Sequence, residues 1–225
     1  MAPTVKICGL SAPDTLEVAL EAGADYVGFV FFPPSPRNLA IEAARPLGSQ
    51  VKGRAGKVAL TVDANDDFIA AIIGALKPDM LQLHGKETPD RVVAVRTRFG
   101  LPVMKALPIA TLADLAAIRP YATIVDRLLF DARPPADATR PGGLGSSFDW
   151  TLLRGVDARV PWVLSGGLDP GNVGEAIAIT GASGVDVSSG VERAPGVKDP
   201  GRIRAFIRAV RDAEAPLDLA KESIV

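Results

Sequence analysis

Short apolar runs rich in β-branched residues alternate along the chain with longer stretches whose apolar positions recur every three or four residues. The short runs lie at 4–8, 26–31, 57–62, 79–83, 102–106, 123–130, 161–165 and 184–188. Most are apolar at consecutive positions, as strands buried on both faces must be. Helical periodicity falls at 13–22, 39–48, 66–76, 88–98, 111–117, 169–180 and 200–212. After the sixth strand the rhythm breaks: 133–147 is rich in Pro and Gly, and only a short helix near 149–154 is expected. Gly23 and Gly181 follow helical runs, where glycine accepts the left-handed conformation that ends a helix. Asp169-Pro170 and Asp199-Pro200 read as an N-cap followed by proline in the first turn. Strands alternating with helices imply a parallel sheet with right-handed crossovers. Eight such units in 225 residues favour closure into a (β/α)8 TIM barrel, an α/β fold, over an open doubly wound sheet. Residues 1–225 are expected to form a single domain, with 214–225 a surface tail.

Composition narrows the function. A formal net charge of −1 gives no electrostatic case for nucleic acid or an anionic membrane as partner. One cysteine and one histidine exclude an intrachain disulfide and a Cys/His zinc site, and no metal is expected. No uncharged apolar run reaches the about 18 residues of a membrane helix. The start lacks a basic region followed by an apolar leader, so a cytoplasmic location is expected.

In a barrel of this kind chemistry sits at the C-terminal ends of the strands and in the loops that follow. That filter selects Cys8, Arg37, His84, Asp131, the loop at 142–145, Gly166, Gly167 and Ser188 to Gly190. Cys8 is either a small buried hydrophobe or a thiol able to act as base or nucleophile. Asp131 is either a loop cap or a catalytic acid, and Asp126, five positions earlier, points to the other face of the strand. Arg37 stands in a proline-stiffened loop, as a surface residue or as a fork for a carboxylate. Gln82 and His84 share a strand face, and His84 suits a catalytic or a supporting role. The glycine pair Gly166-Gly167 after the seventh strand and Ser188-Ser189-Gly190 after the eighth let the backbone approach an anion, which suits a phosphate.

As an ordered set these segments resemble the phosphoribosylanthranilate isomerases. The resemblance runs over nearly the whole chain. It is carried by Val5-Lys6-Ile7-Cys8-Gly9-Leu10, Ser35-Pro36-Arg37, Leu81-Gln82-Leu83-His84-Gly85, Phe130-Asp131-Ala132, Gly142-Gly143-Leu144-Gly145, Leu164-Ser165-Gly166-Gly167-Leu168 and Val185-Asp186-Val187-Ser188-Ser189-Gly190-Val191-Glu192. It implies an Amadori rearrangement of N-(5-phosphoribosyl)anthranilate, with Asp131 as general acid and Cys8 as general base. It further implies that Arg37 binds the anthranilate carboxylate, that His84, Gly142 and Gly143 stand around the substrate, and that Asp186 orients the sugar. Gly166, Gly167, Ser188, Ser189 and Gly190 would hold the phosphate. No cofactor is implied, because the substrate's own iminium is the electron sink. Leu144 stands where the family commonly has Ser or Thr, so a hydroxyl contact is expected to be missing there. For this chemistry Cys8 must give a thiolate and Asp131 must hold a proton, the reverse of their free states at neutral pH, so the site is expected to pull both.

Two rival readings fit the same residues. One is another phosphate-binding barrel enzyme of the indoleglycerol-phosphate synthase kind, or a Schiff-base aldolase using Lys105, although Lys105 also fits a polar layer inside the barrel. The other is a non-catalytic phosphosugar-binding barrel, for which Cys8 and Asp131 would be superfluous. A small-molecule substrate is the expected partner, and a monomer the expected state.

Overall fold

The structure, a computed structural model, describes residues 3–134, 138, 141–143, 145 and 147–213. Eight parallel strands close into a barrel in sequence order: β1 (Thr4–Cys8), β2 (Tyr26–Phe31), β3 (Gly56–Thr61), β4 (Met80–Leu83), β5 (Val103–Ile109), β6 (Arg127–Ala132), β7 (Trp162–Leu164) and β8 (Gly184–Val187). Closure is made by β1 on β8, with Thr4 opposite Gly184 and Lys6 opposite Asp186. The helices are α1 (Pro13–Glu21), α2 (Ile41–Val51), α3 (Asp66–Leu76), α4 (Pro89–Phe99), α5 (Val173–Thr180) and α6 (Pro200–Asp212). A two-stranded antiparallel ribbon, β9 (Glu192–Ala194) with β10 (Val197–Lys198), lies between β8 and α6. Among the described residues no helix is long and apolar enough to cross a membrane. The expected tail at 214–225 lies outside the described residues.

The alternation of side chains along each strand divides the buried residues into two bodies. Val5, Ile7, Val27, Phe29, Leu81, Leu83, Leu128 and Phe130 face outward into the large core beneath the helices. Inside the barrel, Val58, Met80, Met104, Ala106, Leu129 and Val163 form an apolar plug. Cys8, Val30 and Leu60 form a small apolar cluster beside Phe32 and Val62. Side chains thus fill the interior of the barrel.

Departures from the sequence reading are local. The sixth strand is Arg127–Ala132, not 123–130, because pairing with β5 runs on from Met104↔Arg127 to Ile109↔Ala132. Asp131 is therefore within the strand, and Asp126 precedes it, accepting from Val103 N at 2.9 Å. The fifth unit returns through a 3₁₀ helix, Leu112–Ile118, rather than an α-helix. Asp169 does not cap α5: its Oδ1 accepts from Gly171 N and Asn172 N, closing a turn, and the helix starts at Val173 with Asn172 as its cap residue. The Asp199 cap does form, to Arg202 N at 2.9 Å. Lys105 points away from the barrel interior, its Nζ 3.0 Å from Glu87 Oε2 and 2.7 Å from Gly85 O. It fastens the loop after β4 and is not placed to reach a carbonyl substrate.

Candidate active site

The C-terminal ends of the strands surround an open cleft of about 780 Å³, counting space that opens to solvent. Its wall includes Cys8 from β1, Arg37 from the loop after β2, His84 from the end of β4 and Asp131 from β6. Gly142, Gly143, Gly166, Gly167, Asp186, Ser188 and Ser189 complete it among the residues selected above. Gly190 is not on the wall: a Cβ there would meet the backbone of Leu168 and Asp169, so its hydrogen side chain lets the loops after β7 and β8 touch.

Asp131 is held rigidly. Its Oδ1 accepts from Ala132 N at 2.9 Å, and its Oδ2 lies 3.2 Å from His84 Nε2. Gln82 Nε2 lies 2.9 Å from His84 Nδ1, which joins the two strand-face neighbours to the carboxyl. Gly142 closes over this pair, and a Cβ at 142 would stand 2.6 Å from Asp131 Oδ2 and 2.8 Å from His84 Nε2. Only glycine lets that loop approach so closely. Leu144 lies outside the described residues.

Arg37 is not a surface residue. It is 4% exposed, with Nε 2.7 Å from Glu192 Oε1 and Nη2 2.7 Å from Glu192 Oε2. This two-point pairing fixes the guanidinium plane. Nη2 also donates to Gly143 O at 3.2 Å. Glu192 Oε1 accepts in addition from Lys198 Nζ at 2.8 Å, and Lys198 donates to Ser188 O, also at 2.8 Å. Burial acts against the Glu192 carboxylate, yet Arg37 and Lys198 hold it below the usual carboxylate range. Burial pulls Lys198 below the usual lysine range against the attraction of Glu192.

Cys8 sits among these charges. Burial pushes its thiol above the usual range; Lys6 opposes that rise, Asp186 adds to it and Lys198 opposes it. Electropositive neighbours are present, as the sequence reading required, but desolvation outweighs them, which corrects the expectation of a lowered thiol. Lys6 is itself wholly committed: its Nζ is 2.8 Å from Asp186 Oδ1, and Asp186, followed by Cys8, overcomes burial and raises it. Asp186 Oδ2 accepts from Ser165 Oγ at 3.3 Å, and Ser188 Oγ donates to Cys8 O at 3.1 Å.

Lys198 and Glu192 are the residues the sequence reading passed over. Glu192 closes a motif quoted above, and Lys198 stands just before the Asp199-Pro200 helix start. A carboxylate two residues after the glycine of that motif was the available signal, but its partner is visible only once the ribbon pairs Lys198 with Glu192.

A closed parallel barrel with a thiol and a carboxyl on one cleft wall, glycine loops after β7 and β8 and a fixed arginine belongs to the class of acid–base barrel enzymes. The sequence model of the family described as N-(5'phosphoribosyl)anthranilate (PRA) isomerase matches residues 5–209, and the chain belongs to that family. Curated relatives named N-(5'-phosphoribosyl)anthranilate isomerase include one from Rhodopseudomonas palustris (strain BisB5), 64% identical over 214 residues covering 95% of this chain and 98% of the relative. One from Nitrobacter winogradskyi is 63% identical over 217 residues, 96% of each. The solved phosphoribosyl anthranilate isomerase of Thermotoga maritima superposes with a TM-score of 0.84 at 34% identity, over 93% of this chain and 99% of that one. A further solved structure is a complex of this isomerase with reduced 1-(o-carboxyphenylamino)-1-deoxyribulose 5-phosphate, with a TM-score of 0.81 at 32% identity, covering 93% and 99%.

Proposed function

We propose that the chain is the isomerase of tryptophan biosynthesis that converts N-(5'-phosphoribosyl)anthranilate to 1-(2-carboxyphenylamino)-1-deoxyribulose 5-phosphate. The observation that carries this reading is the convergence of Cys8 and Asp131 on one cleft in a chain 64% identical to a curated isomerase. The reaction is an intramolecular oxidoreduction: C1 is reduced and C2 oxidised within one molecule. Asp131 gives its proton to the furanose ring oxygen, the C1–O bond breaks and a Schiff base forms. Cys8 takes the proton from C2, leaving an enolamine. Ketonisation adds a proton at C1 and releases that of the C2 hydroxyl, so protons balance over the cycle.

In this reading Arg37 presents its remaining donors to the anthranilate carboxylate while Glu192 keeps the plane fixed. The backbone around Gly166 and Gly167 and the loop at Ser188 and Ser189 receive the phosphate, with Gly190 contributing through loop contact. Gly142 and Gly143 cover the acid, His84 supports it, and Asp186 is anchored by Lys6 at the cleft floor. We also propose a monomer, and a location in the cytoplasm, since a phosphorylated substrate does not cross membranes unaided. Light scattering tests the monomer.

The test of function is the change in anthranilate fluorescence when purified protein meets the substrate. Turnover is expected from the wild type, with losses of ~10²–10⁴-fold in Cys8→Ser and Asp131→Asn. Binding without turnover by the wild type would instead favour a phosphosugar-binding barrel. Near-normal turnover in both folded variants would remove these two residues from the mechanism.

A further inference from the structure

Three polar side chains form a file from the barrel interior to its mouth. Gln82, wholly buried, meets His84 Nδ1 at 2.9 Å, and His84 Nε2 meets Asp131 Oδ2 at 3.2 Å. The other ionic groups of the mouth are engaged among themselves, Lys6 with Asp186 and both Arg37 and Lys198 with Glu192. Among the described residues His84 is the side chain bonded to Asp131. Asp131 Oδ1 already accepts from Ala132 N, so Oδ2 is the oxygen free to carry a proton.

The position of that proton depends on the Gln82 carboxamide. Its nitrogen and oxygen ends exchange by a half-turn about the last bond with almost no change in shape. With Nε2 on the imidazole, Oε1 is buried without a partner among the described residues, so none of them fixes that orientation from the far side. That arrangement makes Nδ1 an acceptor, puts the ring proton on Nε2 and presents it to Asp131, which favours the carboxylate and opposes donation. The half-turned amide reverses each step. Gln82 Oε1 accepts from Nδ1–H, and in the neutral ring His84 Nε2 offers a lone pair, so that the proton between ring and carboxyl is supplied by Oδ2.

We propose that Gln82 and His84 are positioning residues for the acid: Gln82 Oε1 fixes the Nδ1–H tautomer of His84, whose Nε2 accepts from Asp131 Oδ2–H and keeps that proton on the carboxyl until the ring oxygen takes it. The proposal rests on the acid role given to Asp131 above. Once Asp131 has donated, two lone pairs face each other across the His84 contact, which favours return of a proton to Oδ2 and resets the acid.

The chain contains one histidine, so 15N-histidine labelling of the untagged full chain reports a single imidazole, and nitrogen shifts distinguish a protonated from a bare ring nitrogen. At neutral pH the expected spectrum has Nδ1 protonated and Nε2 accepting; a proton on Nε2 overturns the proposal. In Gln82→Met the ring loses its acceptor, the proton is expected to shift toward Nε2, and kcat is expected to fall about tenfold, the equivalent of one net hydrogen bond, with KM within about twofold. A variant that keeps the wild-type tautomer and wild-type kcat overturns the role of Gln82. The wild-type spectrum needs no variant to fold, and it reads the tautomer whether or not the protein turns over phosphoribosylanthranilate, so failure of this proposal and failure of the function remain distinguishable.

Discussion

Cys8 illustrates how one residue's chemistry follows from its surroundings. Its Sγ lies close to Gly28, where a Cβ would come within 3.0 Å of the sulfur and 3.1 Å of Lys6 Nζ. Thiol and ammonium therefore share the space that glycine leaves open. Burial still dominates and lifts the thiol, so little thiolate exists at neutral pH and its share grows as pH rises. Alkylation by iodoacetamide should accelerate from about pH 7 to about pH 9 without levelling, because a raised thiol titrates above the ~8.5 of free cysteine. Lys198→Met removes one opposing ammonium and should slow alkylation at fixed pH. A plateau below about pH 8 would mean that the lysines win and that the thiol is lowered instead. A protonated Schiff base beside Cys8 would supply the positive charge that the protein alone leaves insufficient.

At the scale of elements, the ribbon after β8 does more than connect. It brings Lys198 opposite Glu192, and Glu192 then orients Arg37, which arrives from the loop after β2. Glu192→Ala leaves two buried cations without their carboxylate, a change that typically costs about 3–5 kcal/mol. We expect a lower Tm and a raised KM, read by calorimetry and steady-state kinetics; loss of neither would make the ribbon a mere connection. The sign with pH follows from the lowered Glu192 carboxyl. Its stabilisation is present above the unfolded-state value and is lost as pH falls through the lower folded value, so the variant's stability should depend less on pH in the acid range. The other elements were legible to differing degrees. Strands announced themselves by apolar runs, and α6 by Asp199-Pro200. The start of α5 was misread because Asp-Pro signals a turn and a helix N-terminus alike, and the turn at Asp169 won.

For the whole molecule, the cleft gathers residues far apart in the chain, as in the contact of Ser188 with Cys8 across 180 positions. A ligand spanning the mouth should therefore stabilise the barrel as a unit. A phosphate-bearing product analogue at about 100 times its Kd should add about 2.7 kcal/mol of stability, read as a rise in Tm, since it binds the folded state alone. Its dephosphorylated form, at the same concentration, should add far less. Equal shifts from the two would remove the phosphate site at the loops after β7 and β8.

The sequence by itself determined the number and order of the eight strands, and it offered the candidates Cys8, Arg37, His84 and Asp131, which line one cleft. These follow from local periodicity and from the rule that places barrel sites after strand ends, both of which operate within a few residues. Partnership was left to the tertiary structure. Whether Arg37 is exposed or clamped by Glu192, whether Lys105 faces the cleft or the helices, and how Gln82, His84 and Asp131 connect all depend on barrel closure and strand register. Register fixes which side chains share a face across neighbouring strands. The charge state of Cys8 was decided in the same way, because desolvation is a property of the packed surroundings and no single stretch of sequence contains it.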